Sequence, residues 1–278
     1  MSEFPEALAR LLPADAALRW KQLVSVVPDS AVLMGGTALA AHLYHRESRH
    51  LDFFYSGTVD LDTLAGTLGT VAPFAITGMA PGTLNGVLGS TVVQFLDVSN
   101  QHPIEPPIRI AGLAVGAISD ICATKLNALP RAELRDYFDL AIIETNTGLT
   151  VEEGLGLWVA RYKPKVPGAS LVELTRNLTY FEDVAEDDRL SVTVEEMAVY
   201  WTARYPAVVA HLDATRPAPG MAAARALRPA VASPNGEINP KPCRSRTLKR
   251  RPCPFLAPAG SDLCGIHATL AARKKKQR

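Results

Sequence analysis

The sequence lacks any apolar run that approaches the roughly 20 residues needed to span a bilayer. Its opening residues, Met-Ser-Glu-Phe-Pro-Glu-Ala-Leu, also lack the basic segment that precedes the apolar stretch of a secretory signal. We therefore expect a cytoplasmic location and no membrane partner. With 278 residues, 47% of them hydrophobic and 21% charged, the composition is typical of a globular protein with more than one compact unit.

Cysteine is scarce, and three of the four cysteines cluster near the C-terminal end as Cys243-x9-Cys253-x10-Cys264-x2-His267. In a cytosolic protein such a cluster favours metal binding over disulfides. Three thiolates and one imidazole make a closed tetrahedral zinc site, and the segment resembles small Cys-Cys-Cys-His zinc modules. We expect one Zn²⁺ at these four residues. The alternative is a disordered basic tail with incidental cysteines.

Acidic residues are almost absent from the same segment. Residues 241–278 contain eleven Lys or Arg and a single acid, Asp262, which gives a local charge of +10, whereas residues 1–240 carry −9. Such a division indicates that the tail, rather than the body, would bind a polyanion such as nucleic acid. A purely solubilising tail is the alternative.

Residues 30–55 organise the rest of the chain. A short apolar run, Ala31–Met34, is followed by Gly35 and Gly36 and then by strong helix formers, so the pattern predicts a strand, a glycine turn and a helix opening at Thr37. The helix start presents unpaired N–H groups and a positive dipole end, which suits a phosphate, and glycines let a triphosphate approach the backbone. A strand over His50 and the residues after it follows.

Alternation in that second strand places His50 and Asp52 on one face and Leu51 and Phe53 on the other. Two ligands at this spacing can share a metal ion.

This stretch resembles the AbiEii/AbiGii-type toxins of the minimal nucleotidyltransferase superfamily. The family motif runs Gly-Gly-Thr-Ala-Leu, then His-Arg-x-Ser, then Asp-x-Asp-Phe-Phe. The matching residues are Gly35, Gly36, Thr37, His45, Arg46, Ser48 and Asp52. The resemblance implies that the glycines, Thr37, Arg46 and Ser48 bind the nucleotide and that Asp52 binds Mg²⁺ or Mn²⁺. His50 stands where the family has its first metal-binding aspartate, and imidazole is a poorer Mg²⁺ ligand than carboxylate. The resemblance also implies a third carboxylate on the strand that begins at Thr91, but Asp97 falls where that strand should end, and Gln94 would bind metal poorly.

A second motif follows, with Lys125 on one helix and Arg135-Asp136-x-x-Asp139-Leu140 at the head of the next. The two acids share a helical face. The same toxins carry this pattern, which implies that Lys125 contacts the triphosphate and that an aspartate positions or deprotonates the acceptor hydroxyl. We favour Asp136 as this residue, with Asp139 as the alternative.

The sequence thus predicts an α/β (α+β) core with a mixed sheet over residues 1–145, a helical subdomain over 146–212, a Pro/Ala-rich linker over 213–240 and a basic zinc module over 241–278. The resemblance implies transfer of a nucleoside monophosphate from a nucleoside triphosphate to an acceptor, RNA and in particular the 3′ end of tRNA, by a toxin paired with an antitoxin. A protein acceptor is not excluded. The competing hypothesis is a catalytically degenerate protein that binds nucleic acid or a partner through its zinc tail.

Overall fold

The computed structural model describes residues 4–215, 241–243, 246, 247, 249, 253, 255–257 and 267. The chain forms two compact units, Met1–Ile121 and Cys122–Arg278, and the division falls inside one helix. The four-part division of the sequence stays a prediction. Across the described ranges, no helix is both long and apolar enough to cross a bilayer.

The first unit is built on a mixed seven-stranded sheet in the order β3-β4-β5-β2-β1-β7-β6. Its strands are β1 (Ala31–Met34), β2 (His50–Tyr55), β3 (Phe74–Ala80), β4 (Thr83–Leu88), β5 (Thr91–Asp97), β6 (Ile108–Ile110) and β7 (Leu113–Val115). Strand β2 lies in the centre, antiparallel to β1 and parallel to β5. The predicted mixed α/β core is therefore confirmed.

Three helices pack against this sheet, α2 (Ala14–Leu23), α3 (Gly35–Leu43) and α4 (Leu61–Val71). The unit also contains α1 (Glu6–Ala9) and the first turn of α5 (Ile118–Ala128). Apolar residues at helical spacing over residues 5–27 predict a single helix, but the chain breaks before Pro13, which supplies no N–H and leads directly into α2. The core includes the stacked rings of Phe53 and Phe95, whose centroids are 5.0 Å apart on neighbouring strands.

The second unit is helical, as predicted. It contains α6 (Leu134–Thr147), α7 (Val151–Tyr162), α8 (Pro167–Asn177), α9 (Val194–Thr215) and a short 3₁₀ helix, Leu129–Arg131. Helix α9 packs on α6, α7 and α8. Arg204 of α9 joins two of these helices, because its guanidinium contacts Glu144 of α6 at 2.7 Å and Glu152 of α7 at 2.6 Å.

Two short strands of the C-terminal segment, β8 (Lys241–Pro242) and β9 (Leu256–Ala257), pair antiparallel in the same unit. Strand β9 contacts α6. The predicted tail therefore has at least one regular element, and it packs on the helical unit.

Candidate active site and metal centre

Asp52 lies in the middle of the sheet on the face that the sequence assigns to it. Leu51 and Phe53 are fully buried, whereas His50 is exposed and Asp52 is half-buried, so the predicted alternation is confirmed. The register places Asp52 beside Met34 of β1 on one side and Gln94 of β5 on the other.

Glycines 35 and 36 make room for two charged side chains. Gly35, the first residue of α3, has φ +71°, and a Cβ built on it would lie 2.8 Å from Oδ2 of Asp52. A Cβ on Gly36 would lie 2.4 Å from Nη2 of Arg46. The carboxylate of Asp52 and the guanidinium of Arg46 therefore lie directly beside the two glycines. Because both sit at the start of α3, the positive end of its dipole favours the Asp52 carboxylate there.

The hydroxyl of Thr37 makes hydrogen bonds inside the first unit. Thr37 is fully buried, and its Oγ1 lies 2.6 Å from the Oγ of Ser48 and donates to the carbonyl of His50. The amide of Ser48 in turn donates to the carbonyl of Leu11 at 3.2 Å. These bonds fix the loop before β2 against α3, so the side chains of Thr37 and Ser48 position the motif. Thr37 was expected at the helix start, but α3 begins two residues earlier at Gly35.

The position expected for a third carboxylate is taken by Gln94. Asp97 pairs with Tyr55, which lies on the opposite face of β2 from Asp52, and its carboxylate accepts hydrogen bonds from the amide and hydroxyl of Ser99. Those bonds hold the pKa of Asp97 below its ordinary value. Asp97 is therefore a strand-end residue, as the sequence suggested.

Asn85 of β4 extends the row, because it pairs with Gln94. Its Oδ1 is buried and accepts no hydrogen bond from the described residues. Asn85 is not among the site residues that the sequence predicts. The local feature that could have indicated it is a polar amide side chain in a strand that otherwise reads Thr-Leu-x-Gly-Val-Leu.

In the second unit, Lys125 joins the two predicted acids. Its Nζ lies 2.7 Å from Oδ1 of Asp136 and 2.6 Å from Oδ2 of Asp139, and both aspartates are fully buried. The guanidinium of Arg131 contacts the other oxygen of Asp136 at 2.9 Å. We call Lys125, Arg131, Asp136 and Asp139 the ionic cluster. Lys125 and the two aspartates are buried, whereas the Arg131 side chain is 55% exposed. The two cations balance the two carboxylates in charge, which offsets the cost of burying the aspartates.

Tyr137 lies beside this cluster on α6. Its hydroxyl is 3.0 Å from the carbonyl of Asn177 and 2.9 Å from that of Tyr180. Burial, with the nearby Asp136 charge, raises the pKa of Tyr137 to about 12. The phenol is therefore a neutral hydrogen-bond donor that fixes the start of α6 to the end of α8.

Three of the four predicted zinc ligands come together. Sγ of Cys243, Sγ of Cys253 and a ring nitrogen of His267 all lie within 4.8 Å of one another, and Cys243 Sγ is 3.6 Å from His267 Nδ1. Nε2 of His267 lies 2.9 Å from the carbonyl of Arg246, which leaves Nδ1 to face the sulfurs. Cys264 lies outside the described residues. The remaining cysteine, Cys122, is buried in α5, as expected, and burial raises the pKa of its thiol to about 12.

No protein-family model matches the sequence, and no curated protein is similar to it. Among solved structures, a Helicobacter pylori protein described as a candidate nucleotidyltransferase is similar over 72% of this chain and 95% of that one, with 20% identity and a TM-score of 0.47. JHP933, also from H. pylori, is similar over 76% and 96%, with 19% identity and a TM-score of 0.44. MenT4, a nucleotidyltransferase toxin of Mycobacterium tuberculosis, is similar over 75% and 89%, with 19% identity and a TM-score of 0.43. Likenesses of this degree assign the chain to no family.

Proposed function

We propose that the protein is a nucleotidyltransferase toxin that transfers a nucleoside monophosphate from a nucleoside triphosphate to an acceptor hydroxyl. The observation that carries the proposal is the placement of Asp52 and Arg46 over Gly35 and Gly36 at the start of α3. A carboxylate for a metal ion and a guanidinium for phosphate are thereby set side by side at the positive end of a helix.

The donor set fits a divalent metal that arrives with the triphosphate. Mg²⁺ commonly binds through one or two carboxylates together with substrate phosphates, and Asp52 supplies one. His50 and Gln94 would complete the protein ligands on the same face, as a nitrogen and an amide oxygen. When bound, Mg²⁺ or Mn²⁺ would offset charge on the phosphates and on the attacking oxygen.

The phosphates would lie against the N-terminal end of α3. Arg46 offers a planar fork of donors that suits phosphate oxygens, and it already lies over Gly36. Thr37 and Ser48 would act on the phosphates indirectly, because their hydroxyls fix the loop that carries Arg46. In the reaction, the acceptor oxygen bonds to the α-phosphorus, the bond to the bridging oxygen breaks, and pyrophosphate leaves.

The proton of the acceptor hydroxyl needs a base, and Asp136 is our proposal, with Asp139 as the alternative. Each aspartate contacts Lys125, so each must loosen that contact before it accepts a proton. We also propose that Lys125 contacts the triphosphate and offsets its negative charge, as the resemblance implies. The acceptor we propose is RNA, in particular the 3′ end of tRNA, and an antitoxin is the expected protein partner.

Incubation of the purified chain with α-labelled nucleoside triphosphates and total RNA tests the proposal. Label should appear in RNA in the presence of Mg²⁺ or Mn²⁺, and Asp52→Asn should remove it. Asp97→Asn is the matched control, since it removes an acid from the opposite face of the same sheet and should retain activity. Equal labelling by the Asp52→Asn variant and the parent would contradict the proposal.

A second function, binding without catalysis, is favoured by one specific observation. Besides Asp52, strands β2 and β5 present five residues on this face, and none of them carries a carboxylate: His50, Phe54, Val92, Gln94 and Leu96. Under this alternative the core is degenerate, and the basic tail binds nucleic acid. Truncation after residue 240 should then weaken RNA and DNA binding and reduce the salt slope of log affinity by about 0.7 to 0.9 for each phosphate that the tail no longer neutralises. Unchanged affinity at low salt would exclude the tail as the nucleic-acid site.

A further inference from the structure

We propose that a zinc ion held by Cys243, Cys253 and His267 fixes Phe255 against Phe138, and so supports the part of α6 that carries Asp136 and Asp139. The inference goes beyond the proposed function, because it concerns what holds the ionic cluster in place. Under this proposal, the tail, residues 241–278, stabilises a helix of its own unit.

The ligand set suits zinc. Two thiol sulfurs and an imidazole nitrogen lie within 4.8 Å of one another, and soft sulfur with imidazole is the donor set that zinc prefers in structural sites. The bond between His267 Nε2 and the carbonyl of Arg246 holds the ring in the orientation that a ligand needs. Cys264, the fourth ligand that the sequence predicts, lies outside the described residues.

The metal site is linked to Phe255 by the backbone. The amide of Cys243 donates to the carbonyl of Phe255 at 3.2 Å, next to the pairing of β8 with β9. Cys243 and Phe255 are both buried. A segment of about 38 residues is too short to form a sizeable core of its own, so we expect the metal to supply most of its folding free energy.

Phe255 reaches the site helix through its ring. It is 1% exposed and meets Phe138 edge to face, with ring centroids 5.6 Å apart and an interplanar angle of 77°. Phe138 is fully buried and stands between Asp136 and Asp139 in the sequence of α6. If Phe255 left, one side of Phe138 would be uncovered at the turn that carries both acids.

Lys249 provides a second attachment. Its ammonium lies 3.0 Å from the carbonyl of Asp187 and 3.3 Å from the carboxylate of Glu186. Glu186 also accepts from the amide of Val194 at the start of α9. The tail is therefore held to the helical unit at two places, one apolar and one ionic.

The test uses the full chain and two measurements, zinc content by elemental analysis and amide hydrogen exchange of residues 134–140. We expect one zinc per chain. Chelation should remove it and speed exchange in this part of α6 by at least about tenfold. Cys253→Ser should lack the metal and exchange at the chelated rate, whereas Cys122→Ala, a cysteine outside the cluster, should retain zinc and the response to chelation.

The substitution Phe255→Ala separates metal binding from the packing of Phe255 on Phe138. The variant should retain zinc but exchange fast before chelation, with little further change afterwards, and Phe255→Leu should keep most of the protection. Two results would overturn the inference. One is stoichiometric zinc in Cys253→Ser, and the other is removal of zinc from the parent with no change in the exchange of α6.

Discussion

The Oδ2 atom of Asp52 lies 2.8 Å from the position that a Cβ of residue 35 would occupy, so Gly35 and Asp52 are a matched pair. Two features favour glycine at this position. Its φ of +71° is a conformation that other residues rarely adopt, and the carboxylate beside it leaves no room for a Cβ. The first residue of α3 and the acid of the central strand are consequently fixed against each other before any ligand binds.

Gly35→Ala should reduce stability and remove transferase activity together. The substitution forces a Cβ against the carboxylate and strains the backbone, which we expect to lower the free energy of unfolding by about 1 to 3 kcal/mol. Gly66→Ala is the matched control, because a Cβ there meets nothing within 4 Å in the middle of α4. This control should raise stability by roughly 0.5 to 1 kcal/mol. Urea denaturation measures the stability of each variant, and the labelling assay measures its transferase activity. A Gly35→Ala variant as stable and as active as the parent would disprove the pairing.

His50→Asp should raise transfer activity. A second carboxylate on the Asp52 face would hold Mg²⁺ more tightly than the imidazole does, because magnesium prefers hard oxygen donors. In the parent chain, Mn²⁺ should support more activity than Mg²⁺, since it tolerates nitrogen ligands better, and the variant should narrow that difference. The rate of label transfer to RNA with each metal is the measurement. A variant no more active than the parent, with either metal and a proven acceptor, would show that His50 does not limit catalysis.

Lys125→Met should destabilise the second unit strongly. The change leaves Asp139 without its contact to the ammonium and leaves Asp136 with Arg131 alone, and breaking a buried ion pair on one side costs about 3 to 5 kcal/mol. The double variant Lys125→Met/Asp139→Leu should recover part of the loss, because it also removes one buried charge. Arg10→Ala, which breaks an exposed pair with Glu6, should leave the urea midpoint unchanged within error. Equal midpoints for Lys125→Met and the parent would show that the cluster contributes nothing to stability.

Acid should destabilise the parent chain more steeply than Asp15→Asn. Hydrogen bonds from Arg19, first, and then from Thr91 and the amide of Ser90 hold the pKa of Asp15 well below its ordinary value. A carboxylate whose pKa is depressed in the folded state contributes stability above its unfolded pKa, near 3.9, and loses it as the pH falls toward the folded value. The unfolding free energy of the parent should therefore fall faster below about pH 4 than that of the variant. Thr91→Val, which removes one donor, should give an intermediate slope, and parallel pH profiles for all three proteins would contradict the assignment.

The predicted elements that the structure reproduces best are those with a strong local pattern. Apolar periodicity and turn residues predict strands over residues 31–34, 50–54 and 91–98 and helices over 151–162 and 194–212. The structure has these elements at 31–34, 50–55, 91–97, 151–162 and 194–215. The face shared by His50 and Asp52 follows from strand alternation alone. Sequence reasoning placed the start of α3 two residues late, because glycine is a poor helix former and the contact with Asp52 that fixes it there is not local.

The sequence names the residues of the candidate site but not their contacts, and their nucleotide-binding and catalytic roles stay predictions. The structure adds that Asp52 and Arg46 lie beside Gly35 and Gly36 and that Thr37 is buried. Asn85 was missed because its place beside Gln94 depends on strand order, which no local pattern encodes. The contact of Arg131 with Asp136 also has no local signal, since it depends on the path of the 3₁₀ helix.

The sequence by itself determined the local elements, the faces of β2, the spacing of the two acids on α6 and the clustering of cysteines with a histidine. These depend on repeats of two or three to four residues and on the neighbours of each residue. Only the tertiary structure decided that Gln94 lies beside Asp52, that Lys125 is enclosed by Asp136 and Asp139, and that Phe255 packs on Phe138. Each of those contacts joins residues from separate elements, and burial of apolar surface together with pairing of buried charges selects among the arrangements that local preferences allow.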